Sequence, residues 1–270
     1  MSANKQEYWW MLEAITGKSK AQLLASPQDL TLEQQATLER WTYERTQLHK
    51  PLQYILGSVP FAGLEILLEP PILIPRPETE EIVMWAIEQL APVASEPLRI
   101  LDLCTGTGCI ALALAHALPN ATVVGVDIDP QAVALAEKNR VHNALSNVTF
   151  IQSDMFAALQ GMQFDLIISN PPYITQEEYA NLEPEVKQWE SINALVADSD
   201  GLGFYQRIAK EARNHLNECS ILRLSSMPSI ICEVGTSSTG VEQAFFNANY
   251  SNVRLYRDMQ GLYRWAAVWV

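Results

Sequence analysis

Hydrophobic and polar positions change rhythm twice along the 270 residues. From residue 5 to about 48, apolar residues recur at three- and four-residue spacing in YWWMLEAI, KSKAQLLAS and TLEQQATLERWTYERTQL, which predicts a set of short helices. Asp29 and Thr31 offer capping oxygens ahead of the longest one. Tyr8, Trp9 and Trp10 belong to the first; a partner-binding surface is one reading of them, and a place in the core of the small helical unit is the expected one. The stretch PLQYILGSVPFAGLEILLEPPILIPRPETEE reads differently, as β-rich pieces broken by Gly57, Pro60, Gly63, Pro70 and Pro71, and predicts a hairpin joining two units. A helix is expected from Thr79 to Leu90, and APVASEP then forms a surface loop.

Beyond Leu98 the two periodicities alternate. Strand RILDLC leads to a helix from Cys109 to Leu118, strand TVVGVD to helix DPQAVALAEKNRVHNA, and strands VTFIQSD and FDLIISN follow. After a longer excursion come helix FYQRIAKEARNHL, strand SIICEV, helix VEQAFFNAN, and strands NVRLYRD and LYRWAAVWV. Strands alternating with helices predict an α/β unit with a mostly parallel sheet covered on both faces, its ligands lying beyond the carboxyl ends of the strands.

Composition narrows the class. Hydrophobic residues make up 48% and charged residues 18%, as in ordinary globular proteins. A formal charge of -13 disfavours a protein whose main task is gripping nucleic-acid phosphate, because that affinity comes from lysine and arginine replacing counterions. The four cysteines (Cys104, Cys109, Cys219, Cys232) form no CxxC pair and have no histidine at ligand spacing, so neither a disulfide framework nor a metal site is expected. No stretch approaches the roughly 20 apolar residues of a membrane span, and the N-terminus lacks a signal pattern. A cytoplasmic protein is expected.

Candidate chemistry gathers at strand ends. LDLCTGTGCIALALA places Gly106 and Gly108 between a strand and a helix, where residues lacking a β-carbon let backbone approach a ligand closely. Gly106-x-Gly108-x-x-Ala111 fits a dinucleotide fingerprint, and Asp127 closes the next strand about 20 residues on, where a ribose-binding acid belongs. A nicotinamide dinucleotide, S-adenosylmethionine and a purely structural turn all remain open on this motif. Asp129 before Pro130 suits the N-cap of the following helix, which leaves Asp127 free for hydroxyl groups. Asp154 ends a third strand, where it could accept from an adenine amine, and Met155 beside it could pack on the base or in the core.

FDLIISNPPYIT is the most specific stretch. Pro171 and Pro172 end a buried strand and stiffen the chain at the ligand edge. The Asn170 side-chain oxygen and the Pro171 carbonyl can together accept both N–H groups of a planar NH₂ substituent, and Tyr173 can lie against a flat acceptor group. An amide or aromatic amine is a weak nucleophile, so positioning must supply much of the rate, up to about 7 to 11 kcal/mol in favourable cases.

These residues resemble Class I S-adenosylmethionine-dependent methyltransferases bearing an Asn-Pro-Pro-Tyr motif. With LQYILG at 52–57, LIPRPETEEIV at 73–83, DLCTGTGCIALALA at 102–115 and NPPYI at 170–174, the chain is similar to the HemK/PrmC family of protein-(glutamine-N5) methyltransferases, which modify the glutamine of the Gly-Gly-Gln loop in peptide chain release factors. The resemblance implies a Rossmann-like, mostly parallel seven-stranded sheet with a small N-terminal helical domain. The expected layout is a substrate-docking domain at 1–50, a hairpin linker with the PRPETE loop at 51–78, and a catalytic domain at 79–270.

It implies S-adenosyl-L-methionine as cofactor. Thr105, Gly106, Thr107 and Gly108 would line its methionine part, with Cys104 and Asn170 completing that side, Asp127 on the ribose, and Asp154 and Met155 at the adenine end. Asn170 and Pro171 would bind the glutamine carboxamide in a slot shaped by Pro172 and Tyr173, and Arg76 and Glu78 would order the loop over it. The implied partner is a release factor, met by a monomer without nucleic acid, membrane, metal or covalent intermediate. Rival readings are a nucleic-acid amino methyltransferase and a non-catalytic cofactor-binding module. Three places depart from the family pattern: Cys104 stands where glycine is usual, Ser191 follows Glu190 where proline is common, and residues 218–228 lengthen the approach to the next strand.

Overall fold

The structure, a computed structural model, describes residues 5–26, 29–197, 200–224, 227–235 and 238–270. Three helices open the chain: α1 (Lys5–Thr16), α2 (Lys20–Ala25) and α3 (Leu32–Gln47). Ser19 and Thr31 cap the second and third, each accepting from the N–H three residues on while Gln22 or Gln34 reaches back, so the first-turn donors are satisfied. Met11, Leu12 and Leu38 form a small core with Leu52 and Ile55. The aromatic residues of α1 depart from expectation: Tyr8 is 41% and Trp10 47% exposed, while Trp9 alone packs partly against that core. The buried stripe of α1 runs through Met11 and Leu12 and leaves the other two rings outside it.

LQYIL is also not a β piece. Residues Leu52–Leu56 form the short helix α4, led by Pro51 and closed by Gly57 in the left-handed region at φ 87°. Only a residue without a β-carbon takes that conformation at little cost, which makes Gly57 a helix stop. The expected hairpin begins just after it, as β1 (Ser58–Phe61) and β2 (Leu64–Leu67). Ala62 and Gly63 both have positive φ, as a two-residue turn matching the strand twist requires.

The remainder comprises α5 (Pro77–Leu90), β3 (Arg99–Leu103), α6 (Cys109–Ala117), β4 (Thr122–Asp127), α7 (Pro130–His142), β5 (Val148–Gln152) and β6 (Leu166–Ser169). Then come α8 (Gln176–Ala180), α9 (Pro184–Trp189), α10 (Ile192–Leu195), α11 (Gly203–Glu211), α12 (Ile221–Leu224), β7 (Ile230–Glu233), α13 (Ser238–Asn247), β8 (Asn252–Arg257) and β9 (Tyr263–Trp269). The expected helix after α10 is shorter than its pattern suggested, because residues Ala212–His215 tighten into a 3₁₀ turn. In the lengthened approach at 218–228, residues 225 and 226 lie outside the described residues.

Among the described residues the main sheet has seven strands in the order β5-β4-β3-β6-β7-β9-β8, parallel except for the β7–β9 and β8–β9 pairs. The expected α/β sheet is therefore present, with an antiparallel edge. Successive strand residues feed opposite cores: Ile100, Leu166 and Ile168 join Leu112 and Ile110 of α6 on one face. Leu101, Leu103 and Ile167 join Tyr205 of α11 and Phe245 of α13 on the other. The chain runs outward from β3 through β4 to β5 and restarts beside β3 with β6, so the strand order reverses between β3 and β6. In sheets of this kind such a switch point is where a ligand crevice lies, beyond the carboxyl edge of the strands. Among the described residues no helix is long and apolar enough to cross a membrane.

Candidate active site

Both motifs of the sequence emerge at this crevice, since the glycine turn follows β3, Asn170 follows β6, and Leu103 and Ser169 are register partners. Three side chains brace the glycine turn. From beneath, Asp102 Oδ2 accepts from Thr105 Oγ1 at 2.5 Å and from the Ala111 N–H at 3.2 Å. From α7, the buried Asn139 donates to the Thr107 carbonyl at 2.9 Å while exchanging two hydrogen bonds with Leu67 of β2, so one amide ties hairpin and turn together. From β4, Asp127 Oδ2 accepts from the Gly106 N–H at 2.9 Å.

Space at the turn is rationed position by position. Gly106 (φ 54°) and Gly108 (φ 83°) are left-handed, and a β-carbon on Gly108 would lie 2.9 Å from the Phe150 ring. One on Gly125, beneath the turn, would lie 2.6 Å from the same ring. Gly106 has nothing within 4 Å in that direction, so its missing side chain leaves open space. Cys104 occupies the left-handed region at φ 59°, a conformation that glycine adopts freely and other residues rarely do. The departure from glycine there is a strained residue at the crevice's edge. Met155 has φ 52° at the neighbouring strand end.

Asp127 ends β4 with both oxygens engaged by backbone, Oδ1 accepting from the Asp129 N–H at 3.0 Å. Asp129 is the N-cap of α7, accepting from the Gln131 N–H, with Pro130 at the first helical position. Burial pushes the Asp127 carboxyl above its ordinary value, countered by the two N–H donors. Each oxygen keeps a lone pair for a further donor. Asp154 lies at the surface and pairs with Arg207 of α11 at 2.8 Å. The Met155 side chain is buried in the second core, its sulfur 3.9 Å from Cys104 Sγ.

Pro171 and Pro172 are buried, and Ser169 Oγ donates to the Leu103 carbonyl at 2.9 Å, locking the end of β6 to the end of β3. Asn170 Nδ2 donates to Thr79 Oγ1 at 3.1 Å, and Thr79 Oγ1 donates to Glu233 Oε2 at 2.6 Å. The Tyr173 hydroxyl reaches Glu233 Oε1 at 3.4 Å. Its ring lies over Gly235, where an added β-carbon would come within 2.5 Å of it. Thr79 and Glu233 were not among the residues singled out from sequence. Glu233 ends β7 and is buried, its carboxyl pushed up to about 7 by desolvation, against the pull of Thr79, Arg264 and Tyr173.

The PRPETE segment is held from the far side of the crevice. Arg76 Nη2 contacts both Glu190 oxygens, at 2.6 and 2.5 Å, and the Ser191 N–H donates to the Pro71 carbonyl at 2.8 Å. Burial raises the Glu190 carboxyl and Arg76 opposes it. The short helices carrying Glu190 are tied in turn to the N-terminal helices, by Arg45 with Glu185 and by Trp189 Nε1 with the Leu48 carbonyl. Glu78 forms part of the field around Glu233.

Comparison with known proteins gives two family matches, to the PrmC N-terminal domain over residues 2–57 and to the methyltransferase small domain over residues 84–186. The release factor glutamine methyltransferase of Escherichia coli (strain K12) is 37% identical, over 92% of this chain and 86% of its own length. That of Flavobacterium psychrophilum is 40% identical, over 94% and 87% respectively. Among solved structures, the catalytic domain of hMettl16 in complex with a 3′UTR hairpin aligns with a TM-score of 0.60 at 18% identity, covering 94% of this chain and 93% of that one. That similarity concerns the fold.

Proposed function

Because this chain belongs to the release factor glutamine methyltransferase family, we propose that it transfers the methyl group of S-adenosylmethionine to the side-chain amide nitrogen of the Gly-Gly-Gln glutamine in a peptide chain release factor. The observation that carries this reading is the state of Asn170, whose Nδ2 is engaged by Thr79 and whose Oδ1 is therefore the atom left to meet a substrate.

The crevice suits the cofactor on two counts. Gly106 leaves open space where a side chain would stand, and Asp127 is a backbone-anchored carboxylate with acceptor capacity for two ribose hydroxyls. Cys104, Thr105, Gly106, Thr107 and Gly108 would hold the methionine portion, with Asn170 closing that side. Asp154 and Met155 would meet the adenine end, Met155 through the strand end it shapes, since its side chain belongs to the core. When bound, S-adenosylmethionine supplies an electrophilic methyl carbon.

The chain's own residues do the rest. Asn170 Oδ1 and the Pro171 carbonyl accept the two N–H groups of the glutamine amide and set its plane. Amide resonance makes that nitrogen a weak nucleophile, so orientation supplies a large part of the rate. Pro171 and Pro172 contribute stiffness, because their fixed φ denies the acceptors other conformations. Tyr173, held between Gly235 and Glu233, forms a wall of the slot and excludes water from it. As the nitrogen gains the methyl group, the methyl–sulfur bond would break with its electron pair left on sulfur, and the nitrogen would give up one proton to solvent; the oxygens of Asn170 and Pro171, too weakly basic to keep that proton, would only orient the N–H it leaves.

Residues 1–50 would dock the substrate, 51–78 link, and 79–270 carry the reaction, in a cytoplasmic monomer that contacts no nucleic acid directly. The test supplies methyl-labelled cofactor with a release factor, its Gln→Ala variant, DNA and RNA in parallel. Label confined to the intact factor is expected. Asn170→Ala should abolish transfer while cofactor binding largely survives, weakened only by the loss of one residue of its lining, and equal loss of both would reject the role given to Asn170.

A further inference from the structure

Resting on that reading of the site, we propose that Thr79 and Glu233 are positioning residues that fix which end of the Asn170 carboxamide faces the substrate. The two flips of an asparagine side chain have nearly the same shape, so packing alone does not choose between them. Hydrogen-bond polarity does. An ionised carboxylate only accepts, so Glu233 Oε2 obliges the Thr79 hydroxyl to donate its one proton across the 2.6 Å contact. With that proton committed, Thr79 Oγ1 can only accept from Asn170, and the atom it holds at 3.1 Å must be Nδ2. Oδ1 is then turned to the slot. The opposite flip would present Nδ2 to the N–H groups of the substrate amide, donor against donor, and would unseat it.

The sequence builds this chain from three distant places. Thr79 sits in the first turn of α5, two residues after Pro77 at its first position; Asn170 follows β6; Glu233 ends β7, next to β6 in the sheet. The carboxylate's surroundings bear directly on its charge. Tyr173 and Thr79 donate to it, Arg264 attracts its ionised form and Glu78 repels it. The Tyr205 hydroxyl donates to its backbone carbonyl, and the Cys109 thiol lies in its field. Arg264 is itself held by Asp258 at 3.0 Å.

A consequence follows for proton uptake. A neutral Glu233 can donate to Thr79, which frees the threonine to donate in turn, and the polarity of the chain can then reverse. Because desolvation lifts this carboxyl to about 7, reversal would set in as pH falls through neutrality. Turnover should therefore have an acid limb belonging to Glu233, even though this residue touches neither substrate nor cofactor.

The test uses the full chain with S-adenosylmethionine and a release factor, over about pH 5.5 to 8.5, with Thr79→Val, Thr79→Ser and Glu233→Gln. Thr79→Val should lower kcat by on the order of 10²-fold, the scale of a misplaced reacting group, with cofactor affinity essentially unchanged. Thr79→Ser keeps the hydroxyl and should restore most of the rate. Glu233→Gln cannot ionise and should flatten the acid limb at a reduced plateau. In nitrogen-15-labelled wild-type protein without substrate, the Asn170 side-chain NH₂ resonances should shift with the same midpoint as the limb. A Thr79→Val enzyme with normal kcat, a serine variant as slow as the valine one, or an Asn170 resonance indifferent to pH would overturn the proposal. The resonance needs no variant to fold and no release factor to react, so it separates failure of this chain of hydrogen bonds from failure of the substrate assignment.

Discussion

Replacing Asp102 by Asn should change the pH dependence of stability in a direction that the structure dictates. Asp102 lies fully buried at the end of β3, where Oδ2 holds Thr105 and the Ala111 N–H and Oδ1 has no hydrogen-bond partner among the described residues. Desolvation raises its carboxyl from 3.8 to about 7, partly offset by those donors and reinforced by the charge of Asp127. An unfolded chain gives up this proton near pH 4, whereas the folded one keeps it to near 7. Between those values the folded state binds more protons, so ionisation progressively costs stability as pH rises, and below both values the cost vanishes. The full displacement corresponds to about 4 kcal/mol above pH 7, of which about 2 kcal/mol accrues between pH 5.5 and 8. Asn preserves the acceptor for Thr105 and Ala111 and adds a buried donor whose cost does not vary with pH. Urea unfolding of both proteins at several pH values gives the difference in stability, from which titrating groups that do not interact with Asp102 cancel; Asp127, which does, adds to the effect in the same direction. That difference should move in favour of Asp102→Asn by about 2 kcal/mol from pH 5.5 to 8. Parallel curves would mean that the folded carboxyl titrates as the unfolded one does, and the account of a poorly solvated acid beneath the glycine turn would be refuted.

Two further outcomes test the crevice's supports. Asp127→Ala should weaken S-adenosylmethionine binding on the order of 10²-fold by calorimetry, since hydrogen bonds to a charged acceptor are worth about 1.5–3 kcal/mol each; unchanged affinity would rule out the ribose role. Arg76→Ala strands the Glu190 side chain, which is 1% exposed, and should destabilise the fold by about 3–5 kcal/mol in denaturant unfolding, a loss below about 1 kcal/mol showing that the pair is solvent-screened.

Which parts of this molecule could be read from its sequence depends on whether the deciding interaction is local. The succession of β3 to β6 along the chain, the glycine turn and the Asp129 cap rest on residues a few positions apart, whose periodicity and capping chemistry act on the neighbouring backbone. Helix α4 shows local evidence misread: Leu52, Tyr54 and Ile55 suggest a strand by composition, yet Pro51 before them and Gly57 after them are the punctuation of a helix turn. Tyr8 and Trp10 escaped because a helix pattern shows an apolar stripe but not which rings the neighbouring helices will cover. Thr79 and Glu233 were the least legible, being joined across 154 residues of chain. Their one sequence trace is an acid at the end of the apolar run SIICEV, where an unpartnered carboxylate would be costly. Buried acids of that kind need a donor, and here the donor is a threonine whose other neighbour is the residue at the end of the adjacent strand. The sheet thus contributes more than a platform. By setting β7 beside β6 it brings the Glu233 carboxyl, through Thr79, to the Asn170 amide, so the specificity proposed for Asn-Pro-Pro-Tyr would depend on residues that the motif does not contain.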